Sequence, residues 1–416
     1  MSRRPSSTTL LALAFLGFVS LGLPDGLLGV AAPSIRASFA VAPEEFGALL
    51  VAFAAGYLSS SFASGAILAR IGVGTLLALS CLLTAASLAM YAAAPWWWWM
   101  VAGGSLSGLG AGAIDSGINT YAATRHSPRT VNWLHACYGV GAMSGPVLMT
   151  SVLAAGRSWR FGYALVGAAQ LALAAAFAAT RTFWPSAAAP DDDAGSEASA
   201  DAGDAALPAR VRQTLARPVV WLGIAIFLVY TGLEATVAVW GFSFLTQARG
   251  IALTTAGWWL SGFWLGLTAG RVAFGWVVGR VPIGVLMRSC AVAIAGAAAL
   301  LWADLGSAAC FLGVLVCGLA MAPVFPSLIA TTPARVGAGH AANAVGFQIA
   351  AAAVGASFVP SLVGVAVGRA GIASVAPALV IGGIALLALQ EVLHRGGDAL
   401  RRRAPHSAAA ISPRST

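Results

Sequence analysis

Charge is what this sequence has least of. Of 416 residues only 9% are Asp, Glu, Lys or Arg, against 59% hydrophobic residues. A soluble domain carries near 25% charged residues, so an ordinary water-soluble enzyme is excluded. The same apolar surplus excludes a disordered chain. Lysine is missing altogether, and all 23 basic residues are arginine. With the surplus of Ala and Gly, that absence reads as compositional bias and carries no function. Cysteine is sparse: Cys81, Cys137, Cys290, Cys310 and Cys317 each lie in an apolar block, without metal-ligand spacing. They read as small apolar side chains, and neither a metal nor a cofactor is expected. The formal charge of +9 sits between apolar blocks rather than along one face, which argues against a nucleic-acid surface. A nucleophile elbow, an HxxxD-type acyltransfer site in a loop and a phosphate loop are also missing, so a membrane enzyme lacks its residues.

What is present is long apolar runs. About 20 apolar residues cross the roughly 30 Å of hydrocarbon in a bilayer. Twelve such blocks are legible, at about 10–32, 46–68, 75–94, 97–121, 132–155, 161–183, 219–245, 256–278, 284–303, 307–331, 341–366 and 371–393. The first follows Arg3 and Arg4 as a signal peptide would, but it contains Asp25 and lacks a clear cleavage site, so it reads as a span. With the N-terminus inside, 17 arginines fall on inner segments and five on outer ones, with Arg271 inside a span. Positive charge favours the cytoplasmic side, so both termini are expected in the cytoplasm and the protein in the inner (plasma) membrane. Trp96 to Trp99 open the fourth span on the outer side, where indoles favour the interface.

Residues 185–217 break the pattern with Pro185, Pro190, Pro208 and six acids among Ala, Ser and Gly. The segment reads as a flexible cytoplasmic linker between an N-terminal half, 1–184, and a C-terminal half, 218–395, with a basic tail at 396–416. The halves repeat at an offset of 210 residues. Gly22 and Leu23 match Gly232 and Leu233; Gly47, Leu50, Phe53 and Gly56 match Gly257, Leu260, Phe263 and Gly266; Gly65 and Arg70 match Gly275 and Arg280. The expected fold is therefore an all-α membrane protein of twelve transmembrane helices, in two six-helix halves related by pseudo-two-fold symmetry. Duplicated halves that rock about a central site are a transporter plan.

Ionisable groups at membrane depth are costly and functional by default. Asp25, Asp115 and Glu234 qualify as acids and Arg271 as a cation. Asp25 lies in Gly22-Leu23-Pro24-Asp25-Gly26, where Pro and Gly are expected to distort the helix and open backbone toward a cavity. Asp115 and Asn119 stand four apart and share a helix face. Glu234 lies one residue before the repeat position of Asp25, which suggests a second acid facing the same cavity. Against these stand structural readings: paired acids for Asp25 and Asp115, a structural ion pair between Glu234 and Arg271, and plain helix packing for His135. Asn343 and Gln348 on the eleventh span are candidate substrate ligands, with helix–helix hydrogen bonding the equal alternative.

Two stretches carry a family resemblance. Gly65-Ala66-Ile67-Leu68-Ala69-Arg70-Ile71-Gly72 resembles the gating-loop signature of the major facilitator superfamily, with Ala69 in place of the family's Asp. Asp25 followed by Leu27, Leu28 and Pro33, the run Gly110 to Asn119 around Asp115, and Asn132-Trp133-Leu134-His135 before Gly141-Ala142 resemble the fucose–proton symporter branch. The resemblance implies proton coupling through Asp25 and Asp115 and places Asn119, His135 and Tyr138 as candidate substrate contacts, to which the repeat adds Glu234. His135 stands where that branch often has Gln. It implies gating loops at Gly65, Arg70 and Gly72, repeated at Gly275 and Arg280. The function expected is proton-coupled transport of a small polar solute, a sugar being the family's precedent, by a monomer in the lipid bilayer. Sodium stays open as the coupling ion, because carboxylates and helix-break carbonyls also serve it. A proton-driven drug or metabolite efflux antiporter is the alternative, from the partial glycine–proline motif Gly141-Ala142-Met143-Ser144-Gly145-Pro146. A solute-sensing receptor is the remote one.

Overall fold

In hydrocarbon a spanning segment must satisfy its own backbone, and the apolar blocks do so as helices. The computed structural model describes residues 7–126, 128–184, 211–277 and 280–403. Among them there is no strand. The first half comprises α1 (Ser7–Phe39), α2 (Gly47–Ile71), α3 (Val73–Ala93), α4 (Trp97–Arg125), α5 (Pro128–Ala154) and α6 (Trp159–Thr180). A five-residue helix, α7 (Val211–Leu215), leads into α8 (Pro218–Ser243), α9 (Leu253–Val277), α10 (Ile283–Trp302), α11 (Ser307–Met321), α12 (Val324–Val336), α13 (Ala338–Ala370) and α14 (Val375–Arg403). Ten segments among the described residues are long and apolar enough to cross a membrane, with α11 and α12 forming one of them. The helices α4 and α9, of 29 and 25 residues, fall outside that set and match it in length. Both are diluted by glycine and carry ionisable groups, Asp115 and Arg271.

The repeat is visible in the packing. In the first half α1 pairs with α5, α2 with α4 and α3 with α6; in the second α8 pairs with α13, α9 with α11 and α10 with α14. Across the halves α5 meets α9, α2 meets α13 and α1 meets α8. Small residues set these distances. A Cβ at Gly22 would collide with the Tyr138 carbonyl, and one at Gly145 would lie 2.6 Å from the Gly26 backbone, so α1 and α5 run in backbone contact. Gly56 and Gly108 do the same for α2 and α4, against the carbonyls of Ser105 and Phe53. Such close approach is how helices associate where no hydrophobic force acts between them.

Four expectations are corrected. α1 runs unbroken through Pro24 and Pro33 rather than opening at Asp25. Gly65 and Arg70 belong to α2, and Gly72 alone, at φ 74°, turns the chain into α3; the expected loop is a helix end. The tenth span, expected as one block, is split at Ala322–Pro323, where two prolines, Pro323 and Pro326, remove backbone donors. The last helix continues to Arg403, into the expected tail. Of the expected linker 185–217, residues 185–210 lie outside the described residues, as does the tail beyond 403. Gly275 lies within the backbone of α9, and Arg280 is exposed just before α10.

The outer ends of the halves meet. Arg36 stacks over the Trp240 ring at 5.8 Å and Phe46 meets the same ring edge-on at 6.1 Å. Ser361 reaches the Gly47 carbonyl at 3.4 Å, and a Cβ at Gly364 would lie 2.6 Å from the Pro43 carbonyl. Inward of the Tyr138–Trp264 contact (6.4 Å) no hydrogen bond, ion pair or ring contact joins the halves among the described residues. The contacts of Arg36, Phe46 and Ser361 hold the two halves together at the end of the bundle away from the termini.

Candidate functional site

Each membrane-depth acid is held by a phenol. The chain has only six tyrosines, and three of them are used this way. Tyr138 on α5 donates to Asp25 Oδ2 on α1 at 2.9 Å. The α1–α5 backbone contact at Gly22, Gly26, Gly141 and Gly145 brings the two helices into that reach. Tyr57 on α2 donates to Asp115 Oδ2 at 2.7 Å, and Asn119, one turn along α4, donates its amide to Oδ1 at 2.9 Å. Tyr230 donates to Glu234 Oε2 at 2.6 Å, four residues along the same helix. Its oxygen also lies 3.1 Å from the Met321 carbonyl, at the break of the tenth span. A hydrogen bond to a charged group contributes about 1.5–3 kcal/mol, and an acid at this depth without one would be strongly disfavoured.

The acid–phenol pairs of the first half are near neighbours, with Tyr57 bonded to Asp115 and close to Asp25. Asp25 and Glu234 feel each other's charge across the two halves. Tyr138 lies within electrostatic reach of Asp25, Glu234 and Arg271. His135 is exposed, lies within electrostatic reach of Asp115 and Arg271, and meets Phe18 edge-on at 5.2 Å. Asp25, Asp115, Asn119, Tyr138, Glu234 and Arg271 are all half-buried, as expected of groups on a cavity wall. Chemically the wall offers carboxylates that take or lose a proton, phenols that hold the carboxylate oxygens, and one guanidinium.

Two expected ligands lie elsewhere. Gln348 is buried, accepts from Thr332 at 3.0 Å and packs against Gly223, so it ties α13 to α12 and α8. Asn343 donates to Thr214 at 3.3 Å, and Thr214 lies 2.9 Å from His340 Nδ1. Asn343 therefore holds the linker helix α7 against α13. Both sit where the helix–helix alternative put them. The expected direct pair between Glu234 and Arg271 is also replaced. Ion pairs among the described residues join Arg249 to Asp304 and Arg288 to Glu391, whereas Arg271 and Glu234 share Tyr230 between them. Tyr57 and Tyr230 were not singled out in the sequence. The i, i+4 spacing of Tyr230 and Glu234 was a usable signal; Tyr57 is 58 residues from its partner and left none.

The family profile of the Major Facilitator Superfamily matches residues 14–360. The chain belongs to the major facilitator superfamily. It is thus a multi-pass membrane protein with the superfamily's all-α transporter fold. Bypass of stop codon protein 6 of Saccharomyces cerevisiae is 24% identical over 384 residues, covering 85% of this chain and 76% of that protein. Among solved structures, a bacterial homolog of the human lysosomal transporter Spinster, inward-facing and unoccupied, is 14% identical with a TM-score of 0.72, covering 96% of this chain and 98% of its own. The transporter FucP in the outward conformation is 16% identical with a TM-score of 0.59, covering 92% and 98%. These likenesses concern the superfamily's fold.

Proposed function

We propose that this superfamily member is a proton-coupled secondary transporter of a small polar solute, working by alternating access. The observation that carries the reading is the pair of phenol-held acids at membrane depth in the first half, Asp25 with Tyr138 and Asp115 with Tyr57. A carboxylate facing a cavity that must close around it is far cheaper to enclose when protonated. Proton binding thereby lowers the cost of the closed intermediate, which is the coupling. In this reading Asp25 and Asp115 carry the proton, Tyr138, Tyr57 and Asn119 hold their oxygens, and His135 lies within electrostatic reach of Asp115. The inner membrane, cytoplasmic termini and a monomeric unit belong to the same proposal, with sugars the first solutes to try from the sequence resemblance.

The test is solute-driven proton movement in reconstituted vesicles, comparing wild type with Asp25→Asn and Asp115→Asn. Coupled uptake is expected to vanish in both while solute exchange survives in at least one. Full coupled transport by both variants would sink the proposal. An efflux antiporter is the second reading. The glycine–proline run that suggested it serves the α1–α5 contact at Gly26 and Pro146, so the symport direction is preferred.

A further inference from the structure

Glu234 and Arg271 are the two groups that proton coupling leaves over. Taken together with the proposal above, Asp25 and Asp115 are neutral when loaded, so the fixed charges on the cavity wall are one anion and one cation. They come from neighbouring helices of the same half, α8 and α9, yet they do not close on each other. Tyr230 stands between them, donating to Glu234 Oε2 at 2.6 Å and facing Arg271. Glu234 Oε1 has no protein donor among the described residues, and Arg271 has no carboxylate within ion-pair distance among them. Both side chains are half-buried.

Removing an ion from water without a compensating charge costs several kcal/mol even after relaxation, and alternating access closes this cavity on every cycle. Hydroxyl groups of a neutral solute supply dipoles only. A solute with two opposite poles supplies a counter-charge to each ion at once, one on either side of the Tyr230 hydroxyl. We infer that the transported solute is zwitterionic, its ammonium group received by Glu234 and its carboxylate by Arg271. Bidentate donation from a guanidinium to a carboxylate is the strong form of that contact.

The experiment is binding by thermal shift on the purified full-length protein, since a ligand of the folded state raises its melting point. The probes are the common amino acids and glycine betaine, the matching amines and carboxylates that keep one pole each, and neutral hexoses. At least one amino acid is expected to shift the wild type, with its single-pole analogues binding about 10- to 100-fold more weakly, as for one lost charged hydrogen bond. Arg271→Gln and Glu234→Gln should each weaken it to the same extent, and Arg271→Lys should recover part of the loss. A hexose that binds wild type and Arg271→Gln alike overturns the inference, as does a panel in which no zwitterion binds. Proton movement with the bound probe is read separately in vesicles. Zwitterion binding without proton movement would leave this inference standing and remove the proton coupling instead.

Discussion

Gly364→Val is expected to prise the outer side open. In the structure Gly364 on α13 faces the 40–46 connection of the other half, and a Cβ there would lie 2.6 Å from the Pro43 carbonyl oxygen and 3.1 Å from Trp240 Cζ2. A carbon and a carbonyl oxygen need about 3.3 Å, so the β-carbon alone demands roughly 0.7 Å of separation and valine's branches more. The groups that then lose contact are the Arg36–Trp240 stack and the Phe46–Trp240 edge contact. A cation–π contact contributes about 0.5–2 kcal/mol and an aromatic pair about 0.5–1.5 kcal/mol. Losing most of both amounts to about 1–3 kcal/mol, a shift of about 5- to 150-fold between outer-closed and outer-open states. Spin labels at Arg157→Cys and Leu305→Cys, exposed outer positions in opposite halves, report the change by double electron–electron resonance with Cys137 replaced. A longer distance component should appear in the variant and not with Gly296→Val, where a Cβ meets nothing within 4 Å. An unchanged distance distribution in Gly364→Val would refute the assignment of this contact as the outer seal.

Tyr57→Phe removes the 2.7 Å donor to Asp115 and should lower coupled flux about 10- to 100-fold, the equivalent of one charged hydrogen bond; solute-driven proton uptake measures it, and wild-type flux would remove Tyr57 from the site. Gln348→Ala removes the Thr332 contact inside the helix bundle while Thr332 keeps its bond to the Leu328 carbonyl, and should cost about 0.5–1.5 kcal/mol of stability with solute affinity unchanged, read by melting and by binding; a loss of affinity at constant stability would make Gln348 a solute ligand. Thr214→Val cuts the links from α7 to His340 and Asn343, and should speed proteolysis at the 211–217 segment several-fold while leaving solute affinity intact.

The sequence reading reached the spans, the repeat and the acids because each is written locally. An apolar run of membrane length has one solvent, and an acid inside it has few reasons to be there, so Asp25, Asp115 and Glu234 stood out before any coordinates. What stayed hidden was relational. Tyr57 meets Asp115 through the Gly56–Gly108 crossing, and nothing near residue 57 announces that. Asn343 and Gln348 look alike in sequence to cavity ligands, since an amide in a span satisfies a neighbour or a substrate equally well; in the structure Asn343 bonds Thr214 and the buried Gln348 bonds Thr332. The 65–72 segment resembles a loop signature, yet α2 continues to Ile71, and only Gly72 takes the positive φ that a turn here requires.

The split in the tenth span gives the second half a short lever. Thirteen residues long, α12 extends about 20 Å at 1.5 Å per residue, so a tilt of about 10° at the break swings its inner tip by about 3 Å. The pivot is where the Met321 carbonyl meets Tyr230, and the tip is where the Arg217 guanidinium grips the Val336 carbonyl at 2.7 Å. A tilt of α12 at this break would therefore link the Tyr230–Glu234 pair to the Arg217 contact at the far end of the helix.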